Sequence, residues 1–332
     1  MAKVGIIGAG SWGIALSVLL HKNGNQVTVW SILPDEIAML QKEREHKDKL
    51  PGVKLPEDMI FTTELKEAVN GMDFIVLAVP SPFTRSTSGM LREFVADGQI
   101  VVNVAKGVEE ATLMTLSEII EEEIPQAKVA VLSGPSHAEE VGRGMPTTIV
   151  IGCKDYDEAV YLQDTFMNEM FRVYTSEDVK GIELGAALKN VIALAAGMAD
   201  GLGCGDNTKA ALITRGITEI ARLGVAMGCK RETFYGLTGI GDLIVTCASM
   251  HSRNRRAGIL IGKGATMEEA MAEVKMVVEG VYSAKAAMGL AGKYNVQLPI
   301  IEQVNEVLFK GKEARTAMLD LMLRDKKIEY AD

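Results

Sequence analysis

Through its first half the chain alternates short apolar runs with longer amphipathic stretches, and then the short runs stop. Val4, Ile6 and Ile7 open the series, and Gln26–Trp30, Asp73–Pro80, Ile100–Ala105 and Lys128–Leu132 continue it. Runs this short and apolar suit strands buried on both faces. Between them, Ile37–Glu45 and Leu113–Glu123 carry apolar residues at helical spacing. This alternation predicts an α/β domain with a doubly wound parallel sheet and helices on both faces. Thr147–Gly152 and Phe171–Tyr174 are expected to extend the sheet at its far edge. From about Ser176 the strand signal ends, and alanine-, leucine- and methionine-rich segments with helical spacing take over. Two domains are therefore predicted: residues 1–178 as a doubly wound sheet and residues 179–332 as an all-α domain, with the ligand site in the cleft between them.

The first strand runs directly into Gly8-Ala9-Gly10-Ser11-Trp12-Gly13 and then into a helix with Leu16, Leu19 and Leu20 on one face. That order of strand, glycine turn and helix is a dinucleotide-binding signature, which makes the sheet a Rossmann-type one. Gly8 permits the tight bend, Gly10 lets backbone approach a pyrophosphate, and Gly13 lets the helix pack against the strand. Free N–H groups at the new helix face the anion. After the second strand the chain reads Trp30-Ser31-Ile32-Leu33-Pro34. Neither an acid for ribose hydroxyls nor an arginine for a 2′-phosphate stands there, so NAD and NADP both remain open.

A formal net charge of -9 argues against nucleic acid as a partner and requires any cationic site to be local. Cys153, Cys204, Cys229 and Cys247 lack paired or zinc-like spacing, so buried free thiols are expected, with no metal. No run approaches about 18 uninterrupted apolar residues, so no membrane-spanning segment is predicted and the reducing cytosol is the expected location.

Ligands of open α/β sheets collect beyond the C-terminal strand ends, where this sequence places Lys106, in Asn103-Val104-Ala105-Lys106-Gly107, and Ser133-Gly134-Pro135-Ser136-His137-Ala138. Lys106 reads either as a cation aimed into the crevice or as a solvated loop residue. Further on, Leu184–Ala196 is apolar apart from Lys189 and Asn190, which need partners inside the protein. A desolvated lysine has its pKa moved toward neutrality and can exchange a proton with an alcohol; the alternatives are a snorkelling side chain or a structural ion pair. Gly236–Leu243 leads to Asp242, then to Thr246 and Ser252-Arg253-Asn254-Arg255-Arg256. Asp242 could cap a helix and the arginines could be a solvated face, yet Arg253 and Asn254 are donors suited to a phosphate.

Taken together, GAGSWGIALS, NVAKG, SGPSHAEEV, LKNVIALAAGMADGLGCGDNTKAALITRG, GLTGIGDLIVTC, SRNRRAG and VVEGVYSAKA occur in an order that resembles the NAD(P)-dependent sn-glycerol-3-phosphate dehydrogenases of the bacterial type. The resemblance covers nearly the whole chain. It implies hydride transfer between NAD(P)H and dihydroxyacetone phosphate, giving sn-glycerol 3-phosphate for glycerophospholipid synthesis in the cytoplasm, and a possible homodimer. Carried onto matching positions, it implies Lys189 as proton donor and Lys106 as the group orienting the same end of the substrate. Asp242 and Thr246 would support them, while Ser252, Arg253 and Asn254 would hold the phosphate beside Gly134 and Ser136. Ser11, Trp12, Ala138, Val277 and Glu279 would face the cofactor, with Lys106 and Arg253 touching both ligands.

Overall fold

A computed structural model of the protein describes residues 1–326, 328 and 329, so residues 327 and 330–332 of the expected helical domain lie outside the described residues. One sheet of eight strands organises the first half: β1 (Lys3–Ile7), β2 (Gln26–Trp30), β3 (Ile60–Thr62), β4 (Phe74–Leu77), β5 (Ile100–Asn103), β6 (Lys128–Ser133), β7 (Thr147–Cys153) and β8 (Phe171–Ser176). Their order is β3-β2-β1-β4-β5-β6-β7-β8, which sets a topological switch point between β1 and β4.

The sheet differs from the expected one by an added strand and a reversed pairing. β3 has three residues, too few for an apolar run to register. β7 pairs antiparallel to β6, so the sheet is mostly rather than wholly parallel. The cause is the connection: helix Ala138–Gly142 has five residues, about 7.5 Å of length, against about 20 Å for the strand it would have to retrace. The chain turns back instead.

Alternate residues of the central strands feed two separate cores, as expected for a sheet covered on both sides. Val4, Ile6, Phe74, Val76 and Val102 pack with Ile14, Leu16 and Leu20 of the first helix. Ile7, Ile75, Leu77 and Val101 pack with Leu91, Val95 and Ile120 on the other face. Helix Leu116–Glu123 starts later than its apolar spacing suggests, because Thr115 and Glu118 form a capping box and Leu113 takes a left-handed backbone.

From Val179 onward the described residues form helices only, arranged around Val179–Gly201. That helix is long and apolar enough to cross a membrane by composition, but its apolar window is wholly buried within the protein. Helix Arg253–Gly262 crosses it in close contact. A Cβ on Gly197 would lie 2.2 Å from the Arg255 carbonyl oxygen, and one on Gly258 2.3 Å from that of Leu194. Only glycine pairs permit this approach, and it sets the start of the second helix beside Asn190. Cys153, Cys229 and Cys247 are buried free thiols, whereas Cys204 is half-buried.

Candidate active site

A cavity of about 670 Å³ opens beyond the C-terminal ends of β1, β4, β5 and β6 and is closed over by residues of the helical half of the chain. At one end lies the glycine turn. Gly8 has φ +119°, a Cβ there would sit 2.8 Å from the Ala78 carbonyl oxygen, and its N–H donates to the Trp30 carbonyl at 2.9 Å. A Cβ on Gly13 would lie 2.1 Å from the Gly8 carbonyl oxygen, so Gly13 packs behind the turn rather than lining the cavity. At Gly10 a Cβ would meet nothing within 4 Å. Helix Ser11–Lys22 starts there without a side-chain cap, leaving its first N–H groups free. Ser11 and Trp12 line the opening, and so do Ala138, Val277 and Glu279. This cradle fits a dinucleotide pyrophosphate.

Past β2, Ile32 and Leu33 project outward at 64% and 53% exposure. They flank the mouth of the cavity together with Glu36 and Lys49. Ser31 Oγ donates to Glu36 Oε2 at 2.6 Å, His46 Nε2 hydrogen-bonds Oε1 at 2.9 Å, and Lys49 pairs with the same oxygen. Burial alone would raise the Glu36 pKa, but these partners outweigh it and hold it at about 2. Trp30–Pro34 carries neither an acid nor a cation, and the following helix and loop bring one of each to this part of the cavity.

Opposite the turn, two lysines meet one aspartate. Lys189 Nζ donates to Asp242 Oδ1 at 2.7 Å and to Thr246 Oγ1 at 2.6 Å. Lys106 Nζ donates to Asp242 Oδ2 at 2.6 Å and to the Gly134 carbonyl at 3.1 Å. The side chains of Lys189 and Asp242 are 6% and 2% exposed, so the ion-pair alternative is realised at the cavity wall. A turn of π-helix, Leu237–Gly241, delivers Asp242 to the head of helix Asp242–Ala248, and Thr246 follows one turn later on the same face. Burial drives the Lys189 pKa down to about 8, with Asp242 resisting and Lys106 adding to the fall. Burial would raise that of Asp242, but the two lysines carry it below its ordinary value. Gly134 contributes its carbonyl rather than a cavity surface, and Ser136 Oγ donates to the same carbonyl at 2.9 Å.

The third region is the start of helix Arg253–Gly262, where Ser252 Oγ accepts from the Arg255 N–H at 3.2 Å. Arg253 lines the cavity and donates to the Val277 carbonyl at 3.2 Å. Asn254 is more occupied than its sequence context suggests: Nδ2 donates to Asn190 Oδ1 at 3.0 Å, and Oδ1 accepts from the Gly280 N–H at 2.8 Å. Among the described residues, three cavity-lining atoms are buried without a hydrogen-bond partner: Asn190 Nδ2, Arg256 Nε and His137 Nε2. The first two are donors left for a ligand. Asn190 and Arg256 were visible in the sequence as embedded or basic residues, but nothing local distinguished them from packing and surface positions. Lys49, Lys106, Lys189, Arg253, Arg256 and Lys275 line the cavity against Glu36, Glu139, Asp242 and Glu279, which makes it locally cationic in an acidic chain.

A nucleotide turn in the sheet half that faces titratable groups from the helical half defines the class of dinucleotide-dependent dehydrogenases. Within it, the chain belongs to the NAD-dependent glycerol-3-phosphate dehydrogenase family, whose N-terminal and C-terminal sequence models match residues 3–159 and 178–319. It is 65% identical over 331 residues to a glycerol-3-phosphate dehydrogenase [NAD(P)+] of Agathobacter rectalis, covering 100% of this chain and 98% of the relative. A Fusobacterium nucleatum protein of the same name is 62% identical, with 99% of each chain covered. The crystal structure of a glycerol-3-phosphate dehydrogenase from Coxiella burnetii superposes with a TM-score of 0.94 at 34% identity, over 97% of this chain and 99% of that one.

Proposed function

We propose that the chain interconverts dihydroxyacetone phosphate and sn-glycerol 3-phosphate, running toward the alcohol as a cytoplasmic supply for glycerophospholipid synthesis, with Lys189 as general acid/base. Residues 1–178 hold NAD or NADP and contribute Lys106, and residues 179–332 bring the remaining substrate groups. The observation that carries this reading is the buried Lys189–Asp242–Lys106 cluster, which shares a cavity with the glycine turn.

A bound nicotinamide supplies the hydride to C2 of the ketone or accepts it in reverse. As negative charge develops on the carbonyl oxygen, Lys189 Nζ gives it a proton, and a pKa of about 8 suits both that donation and its reversal. Lys106 orients the same oxygen and adds positive charge where the transition state needs it. Asp242 and Thr246 hold the Lys189 ammonium in place. Arg253, Ser252 and the free N–H groups of their helix bind the phosphate, while Asn254 ties that helix start to Asn190 and Gly280. Gly8, Gly10, Ser11 and Trp12 form the pyrophosphate cradle, which Gly13 supports from behind, and Ala138, Val277 and Glu279 line the cofactor side.

Steady-state oxidation of NADH and NADPH with dihydroxyacetone phosphate, set against 2-keto acids, tests substrate class and cofactor together. Lys189→Ala should cut turnover by about 100-fold or more while leaving the NADH dissociation constant nearly unchanged. Turnover confined to keto acids would overturn the substrate, and near-normal turnover of the variant would remove Lys189 from the chemistry.

A further inference from the structure

Glu183 lies on the same buried helix as Lys189, six residues earlier, and both of its oxygens face the sheet half. Oε1 accepts from Asn103 Nδ2 at 3.1 Å and from the Ser117 N–H at 2.9 Å, and Oε2 accepts from Ser117 Oγ at 2.5 Å. Asn103 is the last residue of β5. Its Oδ1 accepts from the Ala105 N–H at 3.1 Å, and its Nδ2 also donates to the Ala105 carbonyl at 3.2 Å. Asn103 therefore shapes the very turn from which Lys106 departs.

These bonds close a ring across the domain boundary: Glu183 to Asn103, through the turn to Lys106, across Asp242 to Lys189, and back along the helix. We propose that Glu183 is a positioning residue of this enzyme, a buried carboxyl that holds the β5 turn so that Lys106 and Lys189 reach opposite oxygens of Asp242. Nothing in the proton-transfer chemistry uses Glu183, and it does not line the cavity. Its position fits a brace, because a buried carboxyl with several donors is confined to one geometry more tightly than an apolar contact would be. Burial pushes its pKa up, with Ser117, Thr115 and Asn103 pulling the other way. The rest of the loop after Lys106 has its own anchors, Leu113 seated against Gly289 and Lys285 paired with Glu110 at 3.5 Å, so the fold does not hang on Glu183 alone.

The inference rests on the proposed roles of Lys106 and Lys189, and its test includes a readout that loss of stability would not move. The charged and titratable groups facing Lys189 are Asp242 and Cys247 on one helix, Lys106 after β5, His137 after β6 and Glu279 from the helical half. Of these, Lys106 is the one whose place depends on the β5 turn. When Lys106 drifts away, its repulsion of Lys189 weakens and Asp242 turns wholly to Lys189, so the alkaline limb of reductive kcat/KM moves to higher pH.

In the full-length enzyme, Glu183→Ala should lower kcat by about tenfold or more, move that limb upward, and leave the NADH dissociation constant within about twofold. Glu183→Gln, which keeps an acceptor for Asn103 and the Ser117 N–H, should restore both kcat and the limb. If Glu183→Ala does not fold, Asn103→Ala cuts the same link from the turn side and must show the same loss and the same shift. An unmoved limb in a folded variant, or a loss of kcat equal in Glu183→Gln and Glu183→Ala, refutes the brace. Lys189→Ala separates the two failures: if it retains turnover, the proposed chemistry is wrong; if it is inactive while Glu183→Ala is normal, only the brace is wrong.

Discussion

Replacing Asp242 with asparagine removes the single anion that two lysines share, and its effect on pH dependence follows from the site. With a pKa of about 8, Lys189 is charged in about nine-tenths of molecules at pH 7 and in about one-tenth at pH 9. Reductive kcat/KM should therefore fall about tenfold per pH unit above 8, and oxidative kcat/KM should fall equally below it. Asp242 Oδ1 and Oδ2 lie 2.7 and 2.6 Å from the two ammonium nitrogens, so its neutralisation leaves the cations repelling one another. Loss of so close a counter-charge lowers a lysine pKa by about 1–3. A fall of about 2 takes the charged fraction at pH 8 from about one-half to about one-hundredth, a loss of about 50-fold in reduction at that pH. The assay is kcat/KM for dihydroxyacetone phosphate across pH 5–10 at saturating NADH, with the reverse reaction measured in parallel. Breaking a buried pair costs about 3–5 kcal/mol, so a thermal melt must accompany the profile. Loss of activity by the same factor at every pH, with both limbs still near 8, would show that Asp242 does not set the Lys189 proton affinity.

Three other perturbations report on separate parts of the molecule. Arg253→Ala should raise KM for dihydroxyacetone phosphate by about 10-fold or more, and by more than it weakens NADH; an unchanged KM would contradict its phosphate role. In Gly13→Ala the new Cβ falls 2.1 Å from the Gly8 carbonyl oxygen, so NADH affinity by fluorescence titration should drop about tenfold or more; wild-type affinity would mean that the turn is softer than its geometry indicates. Glu219 is buried beneath helix Pro299–Lys310 and accepts from the Ile300 N–H at 2.9 Å. Burial raises its pKa from 4.5 to about 7 despite the Ile300 and Ile301 N–H groups. The folded protein thus holds a proton that the unfolded chain has released, so the associated stability is full below pH 4.5 and is lost as pH rises through 7. That loss amounts to about 3 kcal/mol. Glu219→Gln should flatten this part of the stability curve in denaturant melts at pH 5 and 7, and a slope equal to the wild type's would assign it to another group.

Some of this protein was legible from residue order alone, because the physics involved is local. Strand periodicity, the steric needs of Gly8 and Gly13 and the near-absence of polar residues around Lys189 are each decided within a few positions, and they placed seven of the eight strands and the nucleotide turn. Tertiary structure decided everything that depends on distant partners. Lys106 and Asp242 stand 136 positions apart and Lys189 and Asp242 stand 53 apart, so no spacing rule could join them. Likewise β7 runs against β6 because a five-residue helix cannot carry the chain back, and Glu36 is held by His46 and Lys49 from a loop that carries no motif. Periodicity reports which side of an element is buried. The proton affinity of a lysine depends on which charges share its low-dielectric pocket, and folding alone brings those charges together.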